Sequence, residues 1–117
     1  MSLLVDSHCH LDFPGLQEDL DGVLVRAKAA GVGTMVTICT RVDHFASVLA
    51  IAERFDNVFC SVGLHPHDAG LEPDLTTAHL VELAAHDKVV GIGETGLDFH
   101  YDHSPRALQA NLFRRHI

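Results

Sequence analysis

The chain reads as an α/β protein, the first half of a (β/α)₈ barrel covering about four βα units. Three observations predict this. Four short apolar runs, at residues 3–5, 35–39, 58–62 and 89–93, alternate with segments of helical spacing, the pattern of a parallel sheet joined by right-handed crossovers. Polar residues of chemical interest follow each run: His8 and His10, Thr40 and Arg41, His65 and His67, Glu94 and Asp98. Side chains entering from the C-terminal ends of several strands are the habit of a barrel rim. The alternative is a doubly wound dinucleotide fold, but the G-x-G-x-x-G it needs after the first strand is missing.

The first run, Leu3-Leu4-Val5, leads into Asp6-Ser7-His8-Cys9-His10. Side chains alternate along a strand, so His8 and His10 share one face, Cys9 takes the other, and Asp6 is expected on the His8 face, one layer below. Two imidazoles at a strand end supply half of a metal shell; the bland alternative is a pair of polar residues at a loop exit. Leu16, Leu20, Val23, Leu24 and Ala27 predict the first helix, closed by Gly31 as C-cap. Phe45, Val48, Leu49, Ala52 and Phe55 carry the second. Leu80, Leu83 and Ala84 carry the third, with Thr76 or Thr77 capping it and Asp87-Lys88 linking it to the fourth strand. Ser104-Pro105 reads as an N-cap followed by proline at the first helical position, and Ala107, Leu108, Leu112 and Ile117 continue the pattern to the last residue. A barrel takes about 250 residues, so residues 1–117 are expected to be the N-terminal half of a single domain, ending inside the fourth helix.

Glu94 shares parity with Val90 and Ile92, which directs it into the interior, where a carboxylate needs a cation. The basic residues nearby are Lys88, at the far end of that strand, and Arg106, beyond a loop. Convergence with His8 and His10 would let the two carboxylate oxygens bridge a pair of ions. Gly63-Leu64-His65-Pro66-His67 brings a second His-x-His to the rim, with Pro66 holding His65 extended. His65 and His67 are read as substrate contacts, against ligation or plain loop positions. Asp98 is the functional candidate of the fourth loop, and His100 and His103 read as solvated.

Sixteen acidic and eight basic residues give a net charge of −8, which argues against a surface that coats nucleic acid. Any nucleic-acid substrate must then be gripped locally, as by bound metal ions. No apolar run is long enough for a membrane span, and the N-terminus lacks the pattern of a secretory signal, so a cytoplasmic protein is expected. Cys9, Cys39 and Cys60 stand singly with no Cys-x-x-Cys and read as buried free thiols.

Three segments, Asp6-Ser7-His8-Cys9-His10-Leu11-Asp12, Gly63-Leu64-His65-Pro66-His67 and Gly91-Ile92-Gly93-Glu94-Thr95-Gly96-Leu97-Asp98-Phe99, together resemble the N-terminal signatures of the TatD-type metal-dependent hydrolases, amidohydrolase-like barrels. The resemblance spans essentially the whole chain. It implies a divalent-metal hydrolase of phosphodiesters, a deoxyribonuclease with exonuclease character acting on DNA. It also implies two metal ions, Mg, Mn or Zn, with His8 and His10 on one and Glu94 bridging to the second. The remaining ligands of the family, two histidines and an aspartate, would lie beyond Ile117, so the 117-residue chain alone is expected to be inactive. Two alternatives stand beside this. One is a metal-dependent esterase or amidohydrolase, for example a D-aminoacyl-tRNA deacylase. The other is an inactive half-barrel that self-associates or pairs with a C-terminal half.

Overall fold

Four parallel strands stand side by side in chain order: β1 (Leu4–Cys9), β2 (Val32–Thr37), β3 (Val58–Val62) and β4 (Val89–Ile92). A doubly wound sheet would reverse its order at a switch point, whereas an unbroken 1-2-3-4 order is that of a barrel wall. The connections carry α1 (Leu20–Ala29), α2 (Phe45–Arg54) and α3 (Thr77–Ala84), and α4 (Arg106–His116) follows β4. The computed structural model describes residues 3–117.

The core lies between the helices and one face of the sheet. Met35, Cys39, Val58, Cys60 and Val62 pack there with Val48 and Ala52 of α2, Leu80 of α3 and Leu112 of α4, all buried. The other face is open. Val5, Val90 and Ile92 are 62%, 57% and 46% exposed, so of the four apolar runs the two central ones, 35–39 and 58–62, are buried along nearly their whole length. β1 and β4 are the sheet edges, which is why their side chains lack a second layer.

Two expectations based on local pattern change. Asp6 pairs with Met35 and Cys9 with Thr37, so three steps along β1 match two along β2. This irregularity breaks the alternation between Asp6 and His8. Asp6 is not one layer below His8; its carboxylate instead accepts the His8 amide at 3.1 Å. Ser104 is not the N-cap of α4: that position falls to Pro105. The Ser104 hydroxyl donates to the His67 carbonyl at 2.9 Å and accepts the Gly70 amide at 2.9 Å, tying the fourth loop to the third. Ile117 lies past the end of α4 and is 89% exposed, so it does not extend the apolar face of the helix.

Other local signals carry through. Gly31 closes α1 with φ +92°, and Thr76 caps α3 by accepting the His79 amide at 3.1 Å. Lys88 sits at the N-terminal end of the sheet, its Nζ donating to the carbonyls of Phe55, Asp56 and Val58. No described helix is long and apolar enough to cross a membrane.

Leu80→Ala is expected to cost about 2–5 kcal/mol in urea denaturation, because Leu80 is 2% exposed. Its neighbour Val81, 64% exposed, is expected to change stability by no more than about 0.5 kcal/mol when truncated. The cysteines are free, and burial pushes the Cys39 and Cys60 thiols up to about 11 and Cys9 to about 12, where Asp6 and Asp12 add to the effect. The thiolate is the reactive form. Ellman's reagent at pH 8 should therefore find no fast thiol in the native protein and all three after unfolding.

Candidate metal centre

His8 ends the exposed edge of β1 and His10 stands just past it, one on each side of Cys9. The Cys9 thiol faces away and donates to the Val36 carbonyl at 3.4 Å. The two imidazoles meet Glu94, which follows β4 on the opposite edge. His8 Nε2 is 3.4 Å and His10 Nε2 3.9 Å from the same oxygen, Glu94 Oε2. Two atoms bonded to one ion at the lengths usual for zinc stand about 3.0–3.6 Å apart for angles near 90–120°. The His8–Glu94 distance falls within that range and the His10–Glu94 distance just above it. The triad is the group of His, Cys, Asp or Glu close enough to share an ion among the described residues, all three donor atoms lying within 4.8 Å of one another.

The tautomer of His10 suits ligation. Its Nδ1 is 3.2 Å from the Ile38 carbonyl, which can only accept, so the proton sits on Nδ1 and the Nε2 lone pair faces Glu94. Phe13 lies on the ring, centroids 4.4 Å apart and planes within 13°, and fixes its orientation.

Glu94 is aimed by backbone. Its amide donates to the Cys39 carbonyl at 2.8 Å and the Gly93 amide to Val62 at 2.9 Å, so the segment just past β4 is pinned to the end of β3 and to the loop after β2 at the carboxylate. Ser61 completes the junction: its hydroxyl donates to the Gly93 carbonyl at 2.6 Å and accepts the Cys39 amide at 3.1 Å. A Cβ on Gly63 would stand 2.5–2.7 Å from the Gly93 backbone, so glycine is required there by space. Ser61 is legible in sequence only as a hydroxyl in an apolar strand, and its role needs the ends of the strands on either side of it.

His65 and His67 line a pocket of about 300 Å³ with His10, Phe13, Thr40, Asp68 and Glu94. His65 Nδ1 accepts the His67 amide at 3.0 Å, so its proton is on Nε2, 3.5 Å from Glu94 Oε1. That places a donor, not a free ligand atom, against the carboxylate. Burial holds the His65 imidazole below its ordinary pKa, outweighing the pull of Glu94 in the other direction.

His67 Nε2 is 3.1 Å from Asp98 Oδ2, and Asp98 Oδ1 accepts the His100 and Tyr101 amides at 3.2 and 3.3 Å. Burial pushes the Asp98 carboxyl up, yet those amides with His67 and His103 hold it below the usual carboxylate range. Asp98 is thus joined to the site through His67 and does not reach Glu94 itself. Gln109 of α4, 1% exposed, clamps it: Gln109 Oε1 accepts the Asp98 amide at 2.7 Å while Nε2 donates to the Asp98 and Ser104 carbonyls. Gln109 gave no signal in sequence beyond a polar residue on a helical pattern. Arg106 pairs with Asp102, and the ionic partners of Glu94 among the described residues are the three imidazoles.

The chain is similar to known metal-dependent hydrolases. The family model described as TatD related DNase matches residues 5–117. An uncharacterized metal-dependent hydrolase of Bacillus subtilis, YabD, is 37% identical over 115 residues, covering 98% of this chain and 45% of that protein. The 3'-5' ssDNA/RNA exonuclease TatD of Cronobacter sakazakii is 37% identical over 99 residues, covering 85% of this chain and 38% of that protein. The crystal structure of YjjV, a TatD homolog from Escherichia coli, superposes with a TM-score of 0.79 at 34% identity, over 97% of this chain and 44% of that one. The chain spans less than half the length of these relatives.

The double substitution His8→Ala/His10→Ala is expected to weaken Mn²⁺ or Zn²⁺ binding by about 100-fold or more in calorimetry, since even outer partners of ligands are worth 10–100-fold. Normal stoichiometry in that variant would refute the centre. Ser61→Ala should weaken binding about tenfold through displacement of Glu94; an unchanged affinity would mean that the Gly93 and Glu94 amide bonds hold the carboxylate unaided.

Proposed function

Because the chain belongs to the TatD related DNase family, we propose that it forms the metal-holding rim of a divalent-metal-dependent hydrolase that cleaves phosphodiester bonds, with DNA as substrate. The observation that carries this is the meeting of His8, His10 and Glu94 from opposite edges of the sheet. Two divalent ions at such a site, Mg, Mn or Zn, supply an activated water and stabilise charge on phosphate oxygens.

The residues divide the work. His8 and His10 present imidazole nitrogens to Glu94 Oε2, while Oε1 of the same carboxylate turns toward His65, an arrangement suited to a bridging acid. His65 directs its Nε2 proton at the carboxylate and fixes its rotation. His67, oriented by the Asp98 carboxylate as imidazoles are oriented by an acid partner, lines the pocket, and in its imidazolium form its second N–H would donate to a phosphate oxygen. Asp98 stays ionised and keeps that imidazole in register. The local grip suits a chain whose net charge of −8 repels a polyanion at distance.

His65→Ala and His67→Ala should each lower kcat/KM on the order of 100-fold with metal content retained, the effect of lost orientation rather than lost ligand. Metal loss in His65→Ala would move that residue into the ligand set. The described residues contribute three donor atoms to one cluster, so the 117-residue chain alone should turn over far more slowly than a relative of full length at equal molarity. Assays on phosphodiester, aminoacyl-ester and amide substrates decide the bond class, and hydrolysis of the latter two without the first would overturn the phosphodiester reading.

A further inference from the structure

The fourth βα loop carries Phe99, His100, Tyr101 and His103 just outside the pocket, and none of these rings serves the metal-holding group. Tyr101 is 64% exposed. Its ring lies parallel to that of His103, planes 4° apart and centroids 5.6 Å apart, and meets His100 and His67 edge-on at 4.6 and 5.5 Å. His67 stands 4.4 Å from His65, which contacts the Glu94 carboxylate. A run of rings therefore leads from the metal-holding acid to a free aromatic face.

The loop is built to display that face. The Asp98 carboxylate accepts the His100 and Tyr101 amides, and buried Gln109 holds Asp98 by both its amide and its carbonyl. Phe99 is already covered, with the Arg106 guanidinium 4.6 Å over its ring, and Arg106 is paired with Asp102. Tyr101, backed by His103, is the ring left for a ligand.

We propose that Tyr101 and His103 form a stacking platform for the nucleobase adjoining the cleaved phosphodiester of a single-stranded nucleic acid. Its substrate rests on the phosphodiester reading above; the platform itself is a separate subsite with separate chemistry. A chain of net charge −8 has little basic surface with which to hold a polyanion, whereas stacking on a π-face is indifferent to charge and to base identity. Paired bases hide their faces in the duplex, so an aromatic side chain beside the site selects an unpaired end.

Tyr101 is the sole tyrosine and there is no tryptophan, so tyrosine emission reports this ring directly. The 117-residue chain, with Mn²⁺ present, is titrated with a short single-stranded phosphorothioate oligodeoxynucleotide, which resists hydrolysis, and with the same oligonucleotide lacking its terminal base. Quenching by the first, and by the second only at about tenfold higher concentration, is expected. Equal quenching by both, or by neither, overturns the platform.

In hydrolysis of the same two sequences made as ordinary phosphodiesters, the ratio of kcat/KM for the base-bearing over the abasic oligonucleotide should fall about tenfold in Tyr101→Ala and be kept in Tyr101→Phe, which retains the ring. A ratio that Tyr101→Ala does not move also overturns it. Hydrolysis of neither phosphodiester by the 117-residue chain agrees with its cluster of three donor atoms, and the quenching titration then decides the platform by itself; hydrolysis of aminoacyl-ester or amide substrates without either phosphodiester refutes the proposed activity instead.

Discussion

Gly63 and Gly93 approach one another where β3 and β4 end, close enough that a single added carbon would stand 2.5 Å from backbone. That contact sets how near the end of β4 comes to β3, and Glu94 is the next residue. Three hydrogen bonds then fix the segment: Gly93 to Val62, Glu94 to Cys39 and Ser61 to Gly93. The carboxylate reaches the imidazoles of the far edge strand because the backbone carrying it has been placed first. Side-chain packing of the core supports the junction from below but does not aim the acid.

Around Glu94 the chemistry is arranged by tautomers. The Ile38 carbonyl places the His10 proton on Nδ1 and frees Nε2, whereas the His67 amide does the reverse to His65. Two histidines past β1 and β3, each in an H-x-H pair, thus present opposite faces to one carboxylate: a lone pair from His10 and a proton from His65. The third loop is in turn tied to the fourth by Ser104 and by the His67–Asp98 pair. Glu94 and Asp98 are each faced by imidazole rather than by lysine or arginine among the described residues, which leaves Glu94 available to a cation.

Much of the fold was legible. Apolar runs with polar strand ends gave the parallel sheet, and Gly31 and Thr76 marked helix ends through their own local chemistry. Strand lengths were less so: β1 runs on to Cys9 and β2 begins at Val32, because pairing of main chains needs no apolar side chain. The failures have one cause. Alternation and capping are local rules, and each yields to something they do not contain: the irregular β1–β2 register interrupts the alternation between Asp6 and His8, and Ser104 is claimed by the third loop. Ser61 and Gln109 could not be singled out at all, since a buried hydroxyl or amide acquires meaning only from the distant backbone it satisfies.

Sequence by itself determined which residues could hold a cation, because donor atoms and their strand-end positions are properties of His8, His10 and Glu94 and of the alternation around them. It also determined the order of the strands' chemistry and the acidic surface that forces a local grip. Only the tertiary structure decided that His65 offers a proton rather than a lone pair, that Asp98 works through His67, and that Tyr101 stands free beside the pocket. Pairing and exposure are set by the atoms that fold against a residue from other βα units, as Asp98 does against His67, and the His65 tautomer by the turn that brings the His67 amide back onto its ring.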